Sequence, residues 1–419
     1  MQPVEYDNEL TQLTHEQSGS LEDFHRSYEA AAESVKAELG ESHPVLIDGE
    51  RVETGDEFTV EAPGDRGVTV GTFAAGAESE VEDAVAAAND AFPEWEAKSP
   101  EERAEVFTTA ADIMRDRKFE LAATLSLENG KNRGEAMADV DEAIDFLDFY
   151  SREFTRSDGY QFDTGEPTPG QHTTNLLRPY GVFAVVSPFN FPMALLVGMS
   201  TGALLTGNTA VVKPASATPL VAQKYVDILE EAGIPDGVVN LVLGSGSEVG
   251  QPLVEHEDVK GVAFTGSRAV GTGIQETFME LGKRGPVIAE LGGKNPVIVS
   301  DEADMDDAVE GVMKGAFSFS GQKCSATSRV YVDESVIDEF TDRLVAETEE
   351  LTIGRPEDED TFVSPLIDDD ALDHYLTISE QAREDGTVLT GGQEADDADL
   401  PEGRYVEPTV VADIPHEHD

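Results

Sequence analysis

Cys324 is the one cysteine in a chain of 419 residues. It stands in Ser320-Gly321-Gln322-Lys323-Cys324-Ser325, just past a strongly patterned helix. Small polar flanks suit an accessible loop, and Lys323 next to it favours the thiolate, the species that attacks carbonyl carbon. The competing reading is a small buried hydrophobe. No histidine lies near it in sequence, so a cysteine–histidine protease pairing is unsupported. One cysteine also excludes an intramolecular disulfide and any cysteine-cluster metal site. Glu290 is the second candidate. It ends the β-branched strand Val287–Ala289 and precedes Leu291-Gly292-Gly293, where glycine lets a ligand approach the backbone. In a chain with 86 acidic residues the bland alternative is a solvated strand end.

Three further groups fall at strand ends. Gly266-Ser267-Arg268-Ala269-Val270-Gly271 joins the strand Val259–Phe264 to a helix, and a Gly-Ser turn there offers free N–H groups to a phosphate. It lacks the G-x-G-x-x-G spacing, so alone it is a weak nucleotide signature. Lys213-Pro214 follows the strand Thr209–Val212, and Ser187-Pro188-Phe189-Asn190 follows Val182–Val186. Each alone reads as a turn. Four successive strands ending in polar or turn residues at one edge describe a dinucleotide crevice beside a reactive cysteine.

The elements that position these groups follow from periodicity. Leu21–Leu39 has a weak helical pattern, and Pro44–Ile47 is a strand running into the Asp48-Gly49 hairpin turn. A helix from Ser79 carries Val81, Val85, Ala88 and Phe92 on one face, with Ser79 and Glu82 at capping-box spacing. Pro100 opens a second helix with Ala104, Phe107, Ala111 and Met114 inward, and a third covers Ala136–Phe154. This layer is expected to be without chemistry. Residues 157–174, rich in Gly, Pro, Thr and Asp, form a projecting loop or hairpin.

Strands and helices then alternate: Phe191–Leu205, Pro219–Glu231, Ser247–Val254 and Ser267–Leu281 are helical, with Val238–Leu243 a further strand. Five strands separated by helices give an α/β fold, a parallel doubly wound sheet covered on both faces. A second α/β set runs from Val297 through Met305–Phe319, Val330–Val332 and Val336–Leu351, and the acidic patch Glu394–Asp399 reads as a solvated loop. The strand-like Val406–Val411 is followed only by Pro415 and His416-Glu417-His418-Asp419, so the chain is expected to stop in mid-fold.

With 28 Lys plus Arg against 86 Asp plus Glu, the formal charge is −58. That charge argues against nucleic acid or anionic membrane as a partner, both being anionic themselves. Acids spread over the whole length match adaptation to high salt, where the Debye length falls to about 3 Å at 1 M. No basic-then-apolar leader follows Met1 and no apolar run reaches about 18 residues, so no signal peptide or membrane span is indicated and a cytoplasmic location is expected.

Several motifs, in this order and spacing, resemble the aldehyde dehydrogenase superfamily. They are Pro188-Phe189-Asn190-Phe191-Pro192, Lys213-Pro214-Ala215-Ser216, Phe264-Thr265-Gly266-Ser267, Glu290-Leu291-Gly292-Gly293 and Gly321-Gln322-Lys323-Cys324. Within it, Gly321–Ala326 with Ser328-Arg329, Pro100–Ala104, Ala143–Phe146 and Gly244–Gly250 are similar to the L-glutamate γ-semialdehyde (1-pyrroline-5-carboxylate) dehydrogenases. The resemblance runs from about Pro44 onward. Phe189 stands where many members carry Trp, and the chain stops before the family's Glu-Ile-Phe-Gly-Pro motif.

The resemblance implies a Rossmann-type cofactor domain in 1–156 and 178–290, an oligomerisation hairpin in 157–177, and an incomplete catalytic domain in 291–419. It implies Cys324 as nucleophile, Glu290 as the base for thioester hydrolysis and Asn190 as an oxyanion donor, with no metal. It places NAD against Ser187, Pro188, Phe189, Lys213, Ser216, Gly246, Gly266, Ser267, Gly271 and Leu291, and substrate against Ser325. Because Ser216 replaces the acidic residue of NAD-specific relatives, NADP is not excluded. A small semialdehyde substrate and a homo-oligomer, dimer or higher, are implied. Succinate or 2-oxoglutarate semialdehyde as substrate, or a non-catalytic binding protein with the same fold, are the alternatives left open.

Overall fold

The computed structural model describes residues 6–415; the readings at Met1 and at His416–Asp419 lie outside the described residues. Two helices come first, Thr11–Ser18 (α1) and Leu21–Glu38 (α2). The buried residues of α2, Phe24, Tyr28, Ala32 and Val35, recur at helical spacing. Ser42–His43 (β1) is followed by Val45–Ile47 (β2) and Glu50–Val52 (β3). Asp48 and Gly49 between β2 and β3 have φ of 52° and 73°, the left-handed pair that a tight hairpin requires. Asp56–Ala62 (β4) and Asp65–Ala75 (β5) pair antiparallel, and β1 adds to β5 in parallel.

Glu78–Glu96 (α3), Pro100–Asn129 (α4) and Arg133–Arg156 (α5) make the helical layer. α4 begins with Ser99 Oγ accepting from Glu102 N at 3.2 Å while Glu102 accepts from Ser99 N at 2.7 Å. Ala104, Phe107, Ala111 and Met114 are all buried. The start of α3 differs from expectation: Glu80 accepts from Ala77 N at 2.8 Å, two residues ahead of the expected pair, and because Ala77 has no side-chain acceptor only this half of a capping box forms. Gly76 N is pinned to Leu243 O at 2.8 Å just before it, which sets where the chain can turn into the helix. Gln161–Gly165 (β6) and Thr173–Leu176 (β7) form an exposed antiparallel hairpin.

The main sheet contains Val182–Val186 (β8), Thr209–Lys213 (β9), Val239–Leu241 (β10), Val259–Gly266 (β11) and Val287–Leu291 (β12). Ala194–Leu205 (α6), Pro219–Glu231 (α7), Gln251–Glu255 (α8) and Arg268–Glu280 (α9) connect them. Its order is β12-β11-β8-β9-β10-β2-β3, the first five parallel and the β2–β3 hairpin closing the far edge. The sheet thus has seven strands rather than five. β8 and β9 are buried nearly throughout, as strands covered on both faces must be. Edge strand β12 is not: its burial alternates and Ile288 is 53% exposed. The chain builds outward from β8 through β9 to β10 and then returns to the other side of β8 with β11. This reversal puts a switch point at the carboxyl ends of β8, β9 and β11.

Beyond β12 lie Asn295–Val299 (β13), Met305–Phe317 (α10), Thr327–Val332 (β14), Ile337–Glu349 (α11), Asp369–Asp385 (α12), Thr387–Thr390 (β15) and Val410–Ala412 (β16). Val299, Val309, Val312, Phe340 and Leu344 form a small core of their own. Four expected elements differ in extent or type. α10 stops at Phe317 because Phe319 and Ser320 adopt left-handed φ of 50° and 54°. The expected strand Val406–Val411 contracts to β16, since Pro408 has no N–H to give a ladder. The expected helix Ser247–Val254 is a π-turn, Gly246–Gly250, followed by α8. Likewise α6 starts at Ala194, after Phe191-Pro192-Met193. No helix among the described residues is long and apolar enough to cross a membrane.

Candidate active site

Register brings the strand ends together. Val186 pairs with Lys213 and with Phe264, and Gly266 pairs with Leu291, so the polar residues beyond them leave the sheet at one edge. Ser187 N donates to Lys213 O at 3.2 Å, continuing the ladder into the turn. The Pro188-Phe189-Asn190 segment is held from α4: Asn129 Nδ2 donates to Phe189 O at 2.7 Å. Asn190 is half-buried, and its Oδ1 accepts from Phe191 N at 3.1 Å. Its Nδ2 has no hydrogen-bond partner among the described residues.

Lys213 is buried, and burial pushes its ammonium down to about 8. Its Nζ donates to Pro214 O at 2.9 Å and has no ion pair among the described residues. Beside it, the Ser187 hydroxyl is buried without a hydrogen-bond partner. Ser216 is exposed, donating to Gly244 O at 2.8 Å. Gly246 opens the π-turn, where Ser245 Oγ accepts from Glu248 N at 3.1 Å. Ser267 is the cap of α9, accepting from Val270 N at 3.4 Å. Gly266 and Gly271 are required by packing: a Cβ would come within 2.6 Å of the Phe264 ring at Gly266 and 2.5 Å of Leu291 Cδ2 at Gly271. α9 can therefore lie close against β12.

Cys324 is exposed, as the flanking residues imply, and Ser325 beside it is exposed as well. Its loop is tied down on both sides. Gln322 Oε1 accepts from Ile367 N at 3.0 Å, and the Ser320 hydroxyl donates to Ser364 O. Asn295 Nδ2 donates to Cys324 O at 2.7 Å and to Ala326 O at 3.1 Å. Glu290 sits on β12 opposite Thr265. It faces a cleft of about 970 Å³ that also touches Thr265, Ile288, Met199, Phe146 and Tyr150. No hydrogen bond joins Glu290 to Cys324 among the described residues. The short Leu291–Asn295 segment connects them, since it leaves Glu290 and delivers the Asn295 amide to the Cys324 carbonyl.

Two expectations need correction here. The Lys323 ammonium, expected to favour the thiolate, is paired with Glu135 of α5 at 2.6 Å, and that carboxylate competes for its charge. The helical layer, expected to be without chemistry, supplies Asn129, Glu135, and the fully buried ion pair Lys131–Asp139 at 2.9 Å. Asp139 also accepts from Ala194 N at 2.7 Å, capping α6. The available signal was positional: Asn129-Gly130-Lys131 is a polar cluster at a helix end, and Asp139 falls among inward-facing Ala136, Val140 and Ala143. A charge on an apolar face needs a buried partner.

The crevice at a switch point, the strand-borne carboxylate and the cysteine loop match one family. Residues 51–419 match the aldehyde dehydrogenase family, and the chain belongs to it. It is 43% identical to the 1-pyrroline-5-carboxylate dehydrogenase of Geobacillus thermodenitrificans, over 93% of this chain and 75% of that protein. Among solved structures it is similar to a 1-pyrroline-5-carboxylate dehydrogenase from Thermus with bound NAD, at a TM-score of 0.91 and 36% identity, covering 99% of this chain and 79% of that one. It is also similar to proline utilization A from Bdellovibrio bacteriovorus, at a TM-score of 0.94 and 34% identity, covering 100% of this chain and 43% of that one.

Lys213 gives a pH signature. Its folded pKa lies below the ordinary 10.5, so the unfolded chain binds more protons between about 8 and 10.5 and folding is favoured as pH rises through that window. Lys213→Met removes the dependence. The expected result is a variant more stable than the parent at pH 7, with the gap narrowing as pH rises from about 8 to 10.5 in urea titrations. A pH-independent gap would contradict the burial argument.

Proposed function

We propose that this protein oxidises L-glutamate γ-semialdehyde, the open form of 1-pyrroline-5-carboxylate, to L-glutamate, with NAD as hydride acceptor and NADP not excluded, as a step of proline breakdown. The observation that carries this reading is 43% identity over 93% of the chain to a protein named for that activity. The crevice fits a dinucleotide on its own terms. Lys213 has donor capacity beyond its one carbonyl partner, and the Ser187 hydroxyl is buried without one, so both await hydroxyl or phosphate oxygens. The exposed N-terminal turns at Gly246 and Ser267 suit a pyrophosphate. Pro188, Phe189, Ser216, Gly266, Gly271 and Leu291 line or shape the same edge. Cytoplasmic location and homo-oligomerisation through the β6–β7 hairpin belong to the same proposal. The exposed Leu176 at the end of that hairpin, with Leu177 and Tyr180 just after it, is the surface such an assembly would cover.

In this mechanism the Cys324 thiolate adds to the aldehyde carbon, forming the C–S bond and an oxyanion. The Asn190 amide and the Cys324 N–H hold that oxyanion, each donor worth about 3–4 kcal/mol when removed from such a site. Bound NAD supplies the acceptor for the hydride that leaves carbon as the carbonyl re-forms. Glu290 then takes a proton from water as it attacks the thioester, and the C–S bond breaks to release acid and thiolate. Ser325 borders the substrate. The domain assignment is likewise proposed: cofactor domain 1–156 and 178–290, hairpin 157–177 and catalytic domain 291–419.

Rate comparisons test the substrate: the specificity constant for pyrroline-5-carboxylate should exceed that for succinate semialdehyde, and the reverse order would sink the assignment. The two residues separate by step. Cys324→Ala should abolish NADH formation, whereas Glu290→Gln should give a burst of about one NADH per site and then slow turnover. Absence of the burst would mean that Glu290 also activates the thiol.

Adaptation to high salt is the remaining part of the proposal, supported by the charge of −58. Cooperative unfolding should be lost at low salt and recovered at molar salt, as the Debye length falls from about 10 Å at 0.1 M to 3 Å at 1 M. A melting temperature that is flat across that range would refute it.

A further inference from the structure

The Lys131 side chain is fully buried, 0% exposed, and so is that of its partner Asp139. An ion pair in such a place is weak grounds for stability. Desolvating both charges can exceed their attraction, and apolar replacements of both are often neutral. The placement of the pair carries more information. Lys131 Nζ lies 3.5 Å from the centroid of the Phe191 ring and 5.1 Å from that of Phe319. A desolvated ammonium over an aromatic face is held by the ring quadrupole, and the attraction is strongest out of water.

Phe191 immediately follows Asn190, and Phe319 begins the left-handed pair that leads into the Cys324 loop. Two successive non-glycine residues in that region persist only where the surroundings hold them. Phe319 is itself fully buried. Asp139, on the other side of the pair, caps α6 through Ala194 N, three residues past Phe191. One buried charge pair therefore touches both ends of the Phe191–Ala194 segment and the root of the cysteine loop.

We propose that Lys131, with Asp139, is a positioning residue that fixes the Asn190 amide relative to the Cys324 thiol. The ammonium grips Phe191 and Phe319 through their rings, and the carboxylate fixes the start of α6, so the oxyanion donor and the nucleophile share one anchor. The inference rests on the reading of Asn190 as an oxyanion donor. Its consequence is narrow: loss of the anchor should slow reactions that pass through an oxyanion and leave alkylation of the same sulfur alone.

The test compares two reagents on the full chain, neither needing a cofactor. With p-nitrophenyl acetate, the thiolate attacks the ester carbonyl, passes through an oxyanion and expels p-nitrophenolate, which is read at once as a colour burst. Iodoacetamide alkylates the thiolate by displacing iodide, with no oxyanion. Lys131→Met should slow the ester burst about tenfold or more, given how steeply rate depends on sub-ångström placement, and change the alkylation rate by less than about twofold. If Lys131→Met does not fold because Asp139 is left unpaired, Lys131→Met/Asp139→Asn keeps the shape without the charges and should show the same split.

In an Asn190→Ala background the further effect of either variant should shrink to less than about twofold, because the group being positioned is gone. Equal slowing of both reagents, a full additional drop in the Asn190→Ala background, or an unchanged ester burst in a folded variant would each overturn the proposal. An Asn190→Ala single variant with an unchanged burst would instead overturn the reading of Asn190, and so the two failures are distinguishable.

Discussion

The constraint on which the site depends is the parallel register of β12, β11, β8, β9 and β10. Parallel strands must be joined by crossovers, and the crossovers here carry the chain back over the faces of the sheet. All five strands therefore end at the same edge. The Val186–Lys213 and Gly266–Leu291 pairs set how far each strand runs before it turns. A one-residue slip would send Lys213 or Glu290 to the opposite face. The crevice is thus a by-product of the hydrogen-bond ladder, and the glycines at 266 and 271 let α9 come close enough to keep its N-terminus over that edge.

The second constraint is charge. The surface is strongly acidic, yet the interior of the helical layer also holds ionisable groups: Lys131, Asp139 and Glu128 are all fully buried there. Glu128 accepts from Leu220 N at 2.5 Å and Val221 N at 2.9 Å, so it caps α7 from a neighbouring helix as Asp139 caps α6. The helices that follow β8 and β9 thus begin on carboxylates supplied by α5 and α4. A layer that looks like packing material fixes where the sheet's crossovers start.

Much of this was legible in the sequence because it is written locally. Cys324 sits in a small polar loop past a patterned helix, while Glu290 shortly before two glycines and Lys213 before a proline each end a β-branched run. Most of the helices follow from period, but α1 and α12 were not foreseen and Ser247–Val254 is a π-turn with a short helix. What was not legible joins residues far apart in the chain. Glu135 gives no sign of pairing with Lys323, nor Asn295 of holding the Cys324 carbonyl. Shortened elements such as β16 and α10 fail for local reasons that periodicity overlooks, a missing proline N–H and two left-handed residues. Lys131 and Asp139 were visible as charges on an apolar face, but the identity of the partner is a tertiary fact.

The central claim is covalent catalysis by one sulfur. It is tested most directly by mixing the Glu290→Gln variant with the semialdehyde and NAD, quenching with acid, and weighing the tryptic peptide Cys324–Arg329. The account predicts that this peptide gains the mass of the glutamyl acyl group in the complete mixture and not when NAD is left out, because the unoxidised adduct reverses on quenching. An unmodified peptide while NADH accumulates, or the acyl group on any other residue, would contradict it.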